Sequence, residues 1–165
     1  MNSTLPGDQV RVSALLTVPP AEAFRVFTEE IEQWWRRGLK YRVQGPGRGI
    51  LHLEPGVGGR LFEQFAGEGG AACAVVQTGT VRVWQPPTRL VFEWRGVNFA
   101  PGESTEVELT FEPSASGTQV TLVHRGFASL RPDHPVRHGQ PVPAFMRSMG
   151  LWWGELLSSL QQRLP

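Results

Sequence analysis

The chain has 165 residues, of which 40% are hydrophobic and 19% charged, and this composition indicates one ordinary globular domain spanning residues 1–165. A formal net charge of +1 provides no overall field to attract nucleic acid or an acidic membrane, so neither is an expected partner. The single cysteine excludes an intramolecular disulfide, and no uninterrupted apolar run reaches the roughly 18 residues that suggest a membrane span.

The N-terminal elements are predicted to be a strand followed by a helical segment. Hydrophobic and polar residues alternate over residues 10–18, which is typical of a strand with one buried face. A proline pair ends this strand, and apolar residues then recur at helical spacing. We therefore predict one or two short helices over residues 20–36, bent near Thr28. The basic, glycine-rich residues 36–49 are predicted to form a loop.

The middle of the chain is predicted to form an antiparallel sheet. Short segments rich in proline and glycine separate six strand candidates, and such connections favour a meander over parallel β-α-β units. The candidates are residues 50–54, 59–65, 72–84, 90–95, 104–112 and 118–125. Because apolar and polar side chains alternate along the last three, one face of the sheet is predicted to be buried and the other solvated.

The C-terminal segment is predicted to form one long amphipathic helix over residues 143–164. At 3.6 residues per turn its large apolar side chains fall on one broad arc. They are Phe145, Met146, Met149, Trp152, Trp153, Leu156, Leu157, Leu160 and Leu164. Burying each of them contributes about 1.5–3 kcal/mol, whereas Gly150 and Gly154 each cost about 1 kcal/mol, so the helix is expected to form against the sheet. A curved sheet closed by one helix encloses a space in which apolar ligands bind.

Six stretches of the sequence, in this order, resemble a known family. They begin at Val18 (VPPAEAFRVFT), Gln33 (QWW), Pro55 (PGVGGRLF), Gly79 (GTV, followed by PPTRLVFEW), Gly117 (GTQVTLVHRGF) and Gly150 (GLWWGELLSSL). The family is the activator of heat-shock protein 90 ATPase homologue-like branch of the START / Bet v 1-like (SRPBCC) superfamily. The resemblance covers nearly all of the chain.

The resemblance implies an α+β helix-grip fold with an internal hydrophobic cavity. In that fold a curved antiparallel sheet wraps around a long C-terminal helix, and two short N-terminal helices close one end. It does not imply one activity, since the superfamily includes co-chaperones, lipid and hormone carriers and polyketide cyclases. The eukaryotic co-chaperones also carry a separate N-terminal domain with an Asn- and Trp-rich motif, to which nothing in this sequence corresponds.

The inward-facing residues of the predicted sheet and last helix are candidates for lining this cavity, although the same pattern is typical of a packed core. The candidates are Trp34, Phe62, Trp84, Phe92, Trp94, Leu109, Phe111, Leu122, His124, Phe145, Met149, Trp152 and Leu156. His124 continues the inward phase of its strand and could bond a ligand oxygen or move a proton. The alternative is a histidine whose hydrogen bonds are satisfied by backbone at the rim of the sheet.

The basic loop and the loop before the last helix are predicted to form the cavity mouth, with Arg37, Arg42, His134 and His138 as its residues. A basic mouth would attract an anionic head group such as a carboxylate, whereas most such runs are solvated surface. Asp133, His134 and His138 have the residue types of a metal site. Two prolines in that loop disfavour helical ligand spacing and no third ligand is evident, so no metal is predicted.

The sequence contains neither a Gly-x-Ser-x-Gly elbow nor a phosphate-binding loop. The leading hypothesis is therefore non-catalytic binding of a small hydrophobic or amphipathic ligand, such as a lipid, polyketide or hormone, without a cofactor. One alternative is a cyclase- or dehydratase-type enzyme that uses His124 as acid or base. Another is a co-chaperone or stress-response module that binds a chaperone or other protein. The first residues lack the pattern of a secretory signal, so a cytoplasmic monomer or homodimer is expected.

Overall fold

Seven antiparallel strands form one curled sheet in the computed structural model, which describes residues 8–38, 40–43, 49–66, 74–96, 98–131, 133–137 and 139–164. The strands are β1 (Gln9–Leu16), β2 (Gly49–Leu53), β3 (Arg60–Phe65), β4 (Ala74–Gln85), β5 (Arg89–Trp94), β6 (Thr105–Ser114) and β7 (Gly117–Arg125). Three α-helices also lie in the described residues: α1 (Pro20–Glu29), α2 (Ile31–Trp34) and α3 (Val142–Arg163). The sheet order is β1-β7-β6-β5-β4-β3-β2. Together with the two short N-terminal helices and the long C-terminal helix, this sheet forms the predicted helix-grip fold.

The inward phase of the sheet follows from the alternation of residue types along each strand. In β6 and β7 it is occupied by Thr105, Val107, Leu109, Phe111, Val120, Leu122 and His124, all of them buried. The two strands pair in register along their whole length, so these side chains form one continuous surface beneath the helices. The predicted phases of both strands are confirmed, because the helices cover only one face of the sheet.

The bend predicted near Thr28 lies two residues later, at Glu30. The hydroxyl of Thr28 donates a 2.8 Å hydrogen bond to the carbonyl of Phe24, one helical turn back, and this bond keeps Thr28 inside α1. Glu30 leaves helical geometry with φ −108° and ψ 26°, and α2 begins at the next residue. Two short helices therefore replace a single bent one.

Helix α3 lies close to β1 because Gly150 has no side chain. A Cβ atom at Gly150 would lie 3.2 Å from Cγ2 of Val10, whereas a Cβ at Gly154 would have no heavy atom within 4 Å. The helix packs along β1 and against α2, while its first half stands away from β3 to β5. This separation leaves a hollow on one side of the fold. Neither α3 nor another described helix combines the length and apolar character needed to cross a membrane.

Replacing Gly154 by Ala is expected to raise the free energy of unfolding by about 1 kcal/mol. Alanine favours the helix over glycine by roughly that amount, and the added methyl group meets no neighbour. Urea denaturation at neutral pH measures the change. Gly150→Ala is the matched control and should gain less or lose stability, because its methyl group crowds Val10. A destabilised Gly154→Ala variant would contradict the prediction.

Candidate functional site

A pocket of about 750 Å³ lies between the first half of α3 and the concave face of the sheet, and it is open to solvent on one side. We call it the α3 pocket. Its apolar wall includes Trp35, Leu61, Trp94, Phe145, Met149 and Trp152. Ionisable side chains on the lining are those of Lys40, Arg42, Glu63 and Glu155. Both the volume and the mixture of aromatic surface with a few polar groups are typical of sites for small molecules.

The structure brings four of the predicted lining residues to this pocket, namely Trp94, Phe145, Met149 and Trp152. Most of the others lie in the hydrophobic core and do not line this pocket. This core set is Trp34, Phe92, Leu109, Phe111, Leu122 and Leu156, each at most 2% exposed. The end of the sheet under α1 is filled by that helix, and there Trp84 meets the ring of Phe24 edge-on at 5.2 Å.

Phe62 lies on the opposite face of the sheet from the pocket. It is paired across β2 with His52, and the two rings stack at 5.0 Å. Since successive side chains of a strand alternate between faces, its neighbours Leu61 and Glu63 are the residues of β3 that face the pocket. Phe62 was predicted to face the cavity, but its neighbours Leu61 and Glu63 do so instead.

The predicted basic mouth does not present unpaired positive charges at Arg37 and Arg42, because both side chains pair with Glu32. Arg37 lies off the pocket and pairs with Glu32, while its Nη1 donates to the Gly49 carbonyl at 3.2 Å. His134 is buried against Phe99, and its Nδ1 accepts a hydrogen bond from the backbone of Val136. His138 lies outside the described residues.

Arg42 reaches the pocket wall, but its guanidinium organises the chain after α2. Its Nη1 donates to Oε2 of Glu32 at 2.6 Å, and its Nη2 donates to the Trp35 carbonyl at 2.7 Å. A further bond runs from Nε to the carbonyl of Arg36. Glu32 in turn accepts the backbone N–H of Leu51 in the edge strand β2. The arginine therefore fastens the segment after α2 to the sheet.

The pocket wall formed by residues 40–43 is held against α3 by side chains far away in sequence. Trp152 donates through Nε1 to the carbonyl of Lys40 at 2.8 Å, and Lys40 pairs with Glu155 at 2.9 Å. Tyr41 stacks on the Trp152 ring, and its hydroxyl donates to Glu155. Neither Tyr41 nor Glu155 is among the site residues predicted from the sequence, where the only local signal is a tyrosine inside a basic loop.

His124 lies behind the pocket, in a chain of hydrogen bonds that runs from Trp153 to the carbonyl of Trp94. Trp153 donates through Nε1 to its Nδ1 at 3.0 Å, so the neutral ring carries its proton on Nε2 and donates to Thr105 Oγ1 at 2.8 Å. Thr105 donates onward to the Trp94 carbonyl. Complete burial, with a smaller effect of the neighbouring Arg125 charge, lowers the pKa of His124 to about 3. His124 is thus a neutral core residue whose partners are mainly side chains.

Glu63 is the functional candidate that sequence reasoning overlooked. Its side chain lines the pocket although it is only 4% exposed, and its Oε1 accepts the backbone N–H of Val43 at 2.9 Å. Burial raises the pKa of this carboxyl group, and the bond from Val43 opposes that effect. The signal was the spacing of Leu61, Glu63 and Phe65, which places a carboxylate in the inward phase of β3.

The family model described as activator of Hsp90 ATPase homolog 1-like protein matches residues 17–164. A protein from Mesorhizobium loti is similar in structure, with a TM-score of 0.61, 19% identity and coverage of 93% of this chain and 94% of that one. The Aha1 dimer from Colwellia psychrerythraea has a TM-score of 0.57 and 16% identity, covering 94% and 95%.

A third similar structure is that of an anthrahydroquino-gamma-pyrone synthase. Its TM-score is 0.56 at 27% identity, and the match covers 96% of this chain and 99% of that one. No curated protein sequence matches the chain. These likenesses agree with the helix-grip architecture described above.

Proposed function

Since the chain belongs to the family of activator of Hsp90 ATPase homolog 1-like proteins and encloses a pocket of about 750 Å³, we propose that it binds a small apolar or amphipathic molecule in the α3 pocket. The observation that carries this proposal is the aromatic wall of the pocket, to which Trp35, Trp94 and Trp152 contribute. Indole rings provide large, rigid and mostly apolar surfaces against which a ligand packs.

The contrast between the two ends of the sheet supports the proposal. Under α1 the rings of Phe24 and Phe27 pack against the ring of Phe111 at separations of 5.3 and 5.9 Å. At the α3 pocket no side chain of the described residues fills the corresponding space, although its walls are equally aromatic. Apolar surface that faces an open hollow is stabilised when a ligand displaces its water.

A ligand screen tests the proposed function. The full chain is mixed with fatty acids, sterols and aromatic polyketides, and binding is followed by thermal shift and native mass spectrometry. A ligand at 100 times its Kd is expected to stabilise the fold by about 2.7 kcal/mol, which raises Tm by several degrees.

The control for the screen is a pair of neighbouring substitutions in β4. Thr78→Trp fills the pocket and should abolish binding, whereas Gln77→Trp, at a position that pairs with outward-facing Phe62, should not. Circular dichroism verifies that both variants are folded. Binding that survives Thr78→Trp, or the absence of any hit in all three ligand classes, would contradict the proposal.

A reaction inside the same pocket is the second candidate function, since the similar synthase is 27% identical over 96% of the chain. The role of acid or base that the sequence suggested for His124 is not supported, because both ring nitrogens are bonded to Trp153 and Thr105. Incubation with aromatic polyketides followed by mass spectrometry separates the candidates. Product formed by the native chain and lost in Thr78→Trp favours an enzyme, whereas binding without conversion favours a carrier.

A further inference from the structure

The α3 pocket contains one buried carboxyl group whose charge no described ion pair balances. Lys40 and Glu155 pair with each other at 2.9 Å, and Arg42 pairs with Glu32 at 2.6 Å. Glu63 has no such partner within ion-pairing distance among the described residues, and its hydrogen bond from Val43 occupies only Oε1. Among the described residues no group donates to Oε2, so this side chain of the pocket wall retains a hydrogen-bond acceptor.

The fold makes room for this carboxyl group. A Cβ atom at Gly49 would lie 2.6 Å from Oε2 of Glu63 and 2.7 Å from the ring of Phe65, so a larger residue at this position of β2 would displace these side chains. Burial of an unpaired carboxylate costs free energy, and that cost is reflected in the raised pKa of Glu63. Groups held in such an environment on the wall of a pocket are characteristic of functional sites.

The surrounding charges decide which ligand chemistry fits. Arg42 and Arg37 lie near enough to Glu63 to favour its ionised form, and Glu32, which pairs with both, opposes them. A cationic ligand would meet Lys40 and Arg42 on the pocket lining. An anionic ligand would meet the carboxylates of Glu63 and Glu155. A neutral hydrogen-bond donor meets neither obstacle, and a planar ring suits the indole walls.

We propose that Glu63 is the polar anchor of the α3 pocket and selects aromatic ligands that carry a hydroxyl group able to donate to it. The inference rests on the proposed function and adds the ligand class. It replaces the idea of an anionic head group at a basic mouth, because Arg37, Lys40 and Arg42, described residues of that segment, are each paired with a carboxylate.

Three naphthalene probes test the anchor by calorimetric titration of the full chain at neutral pH: 2-naphthol, 2-methoxynaphthalene and 2-naphthoate. We expect 2-naphthol to bind at least tenfold more tightly than the methyl ether, a difference of about 1.4 kcal/mol, and the carboxylate to bind most weakly. Glu63→Gln keeps an oxygen for the backbone of Val43 and turns an NH₂ group toward the ligand. The preference for naphthol over its ether should therefore disappear in that variant.

Glu112→Gln is the control, because Glu112 is an exposed carboxylate on the outward face of β6 and does not line the pocket, and it should leave the preference unchanged. Equal binding of naphthol and ether to the native chain would overturn the inference while leaving the binding function intact. A preference that persists in Glu63→Gln, or tightest binding of 2-naphthoate, would do the same. Failure of all three probes to bind would contradict the binding function for aromatic ligands, and the anchor with it.

Discussion

Lowering the pH from 7 to about 5 is expected to reduce the free energy of unfolding by about 2 kcal/mol through His124 alone. The folded state holds this histidine neutral down to a pKa of about 3, because the ring is buried and Nδ1 already accepts from Trp153. In the unfolded chain the same group takes up a proton near pH 6.5. Acid therefore favours the unfolded state throughout the interval between the two pKa values.

The direction of the pH effect on stability follows from the number of protons that the folded and unfolded states bind. Above pH 6.5 neither state binds the proton and the contribution of His124 to stability is complete, whereas below that value only the unfolded chain binds it. Each pH unit in the interval costs about 1.4 kcal/mol. Carboxylates with lowered pKa values also lose stabilisation in acid, but only below 4.5; Glu54, with a pKa of about 2 owing to its bonds with Arg60, is one example. The range above pH 5 therefore lies outside the interval in which these carboxylates act.

Urea denaturation of the native chain and of His124→Gln at pH 5, 6 and 7 measures this effect. Glutamine does not titrate, so the variant should have a flatter dependence of stability on pH, whatever its stability at neutral pH. Glu63 acts with the opposite sign, since its raised pKa makes ionisation costly, but both proteins retain it and the comparison cancels its effect. If the variant does not fold, an NMR titration of the native imidazole gives the pKa directly. A value near 6.5 would contradict the prediction.

The fold was predictable because its signals are local. Alternation of residue types sets the inward face of β6 and β7, and a period of 3.6 residues sets α3, which the sequence placed at 143–164 and the structure at Val142–Arg163. Short connections between strands indicated an antiparallel order, and the sheet confirms it. These patterns need no knowledge of distant contacts.

The site was predictable only in part, because its walls are assembled by contacts between distant segments. The bond between Trp152 and the carbonyl of Lys40 joins residues 112 positions apart, and nothing local announces it. Aromatic residues alone do not tell core from cavity, since Phe111 and Trp94 share the same sheet face but only Trp94 meets the hollow. Which end stays open depends on where α1 and α3 pack. Because Phe62 was predicted to face inward, its neighbour Glu63 was assigned to the outer face of the sheet and was not recognised as a pocket residue.

The second large effect is expected at Arg42, whose substitution by Met should cost about 3–5 kcal/mol of unfolding free energy. The side chain of Arg42 is 5% exposed and is bonded to the Glu32 carboxylate and to the carbonyls of Trp35 and Arg36. Methionine fills much of the same volume but donates no hydrogen bond. The variant therefore leaves a partly buried carboxylate with one cation fewer and buried carbonyls without their donor. Urea denaturation at neutral pH measures the loss.

Arg37→Met is the matched control, because Arg37 pairs with the same carboxylate from a side chain that is 41% exposed. Solvent screens that pair, so the expected loss is below about 1 kcal/mol. The two variants should also differ in ligand binding. Arg42→Met is expected to loosen the segment after α2, release Lys40 and Tyr41 from α3 and weaken binding of any ligand found in the screen. Arg37→Met should leave that binding unchanged. Equal small losses in the two variants would show that the buried guanidinium does not hold the pocket wall in place.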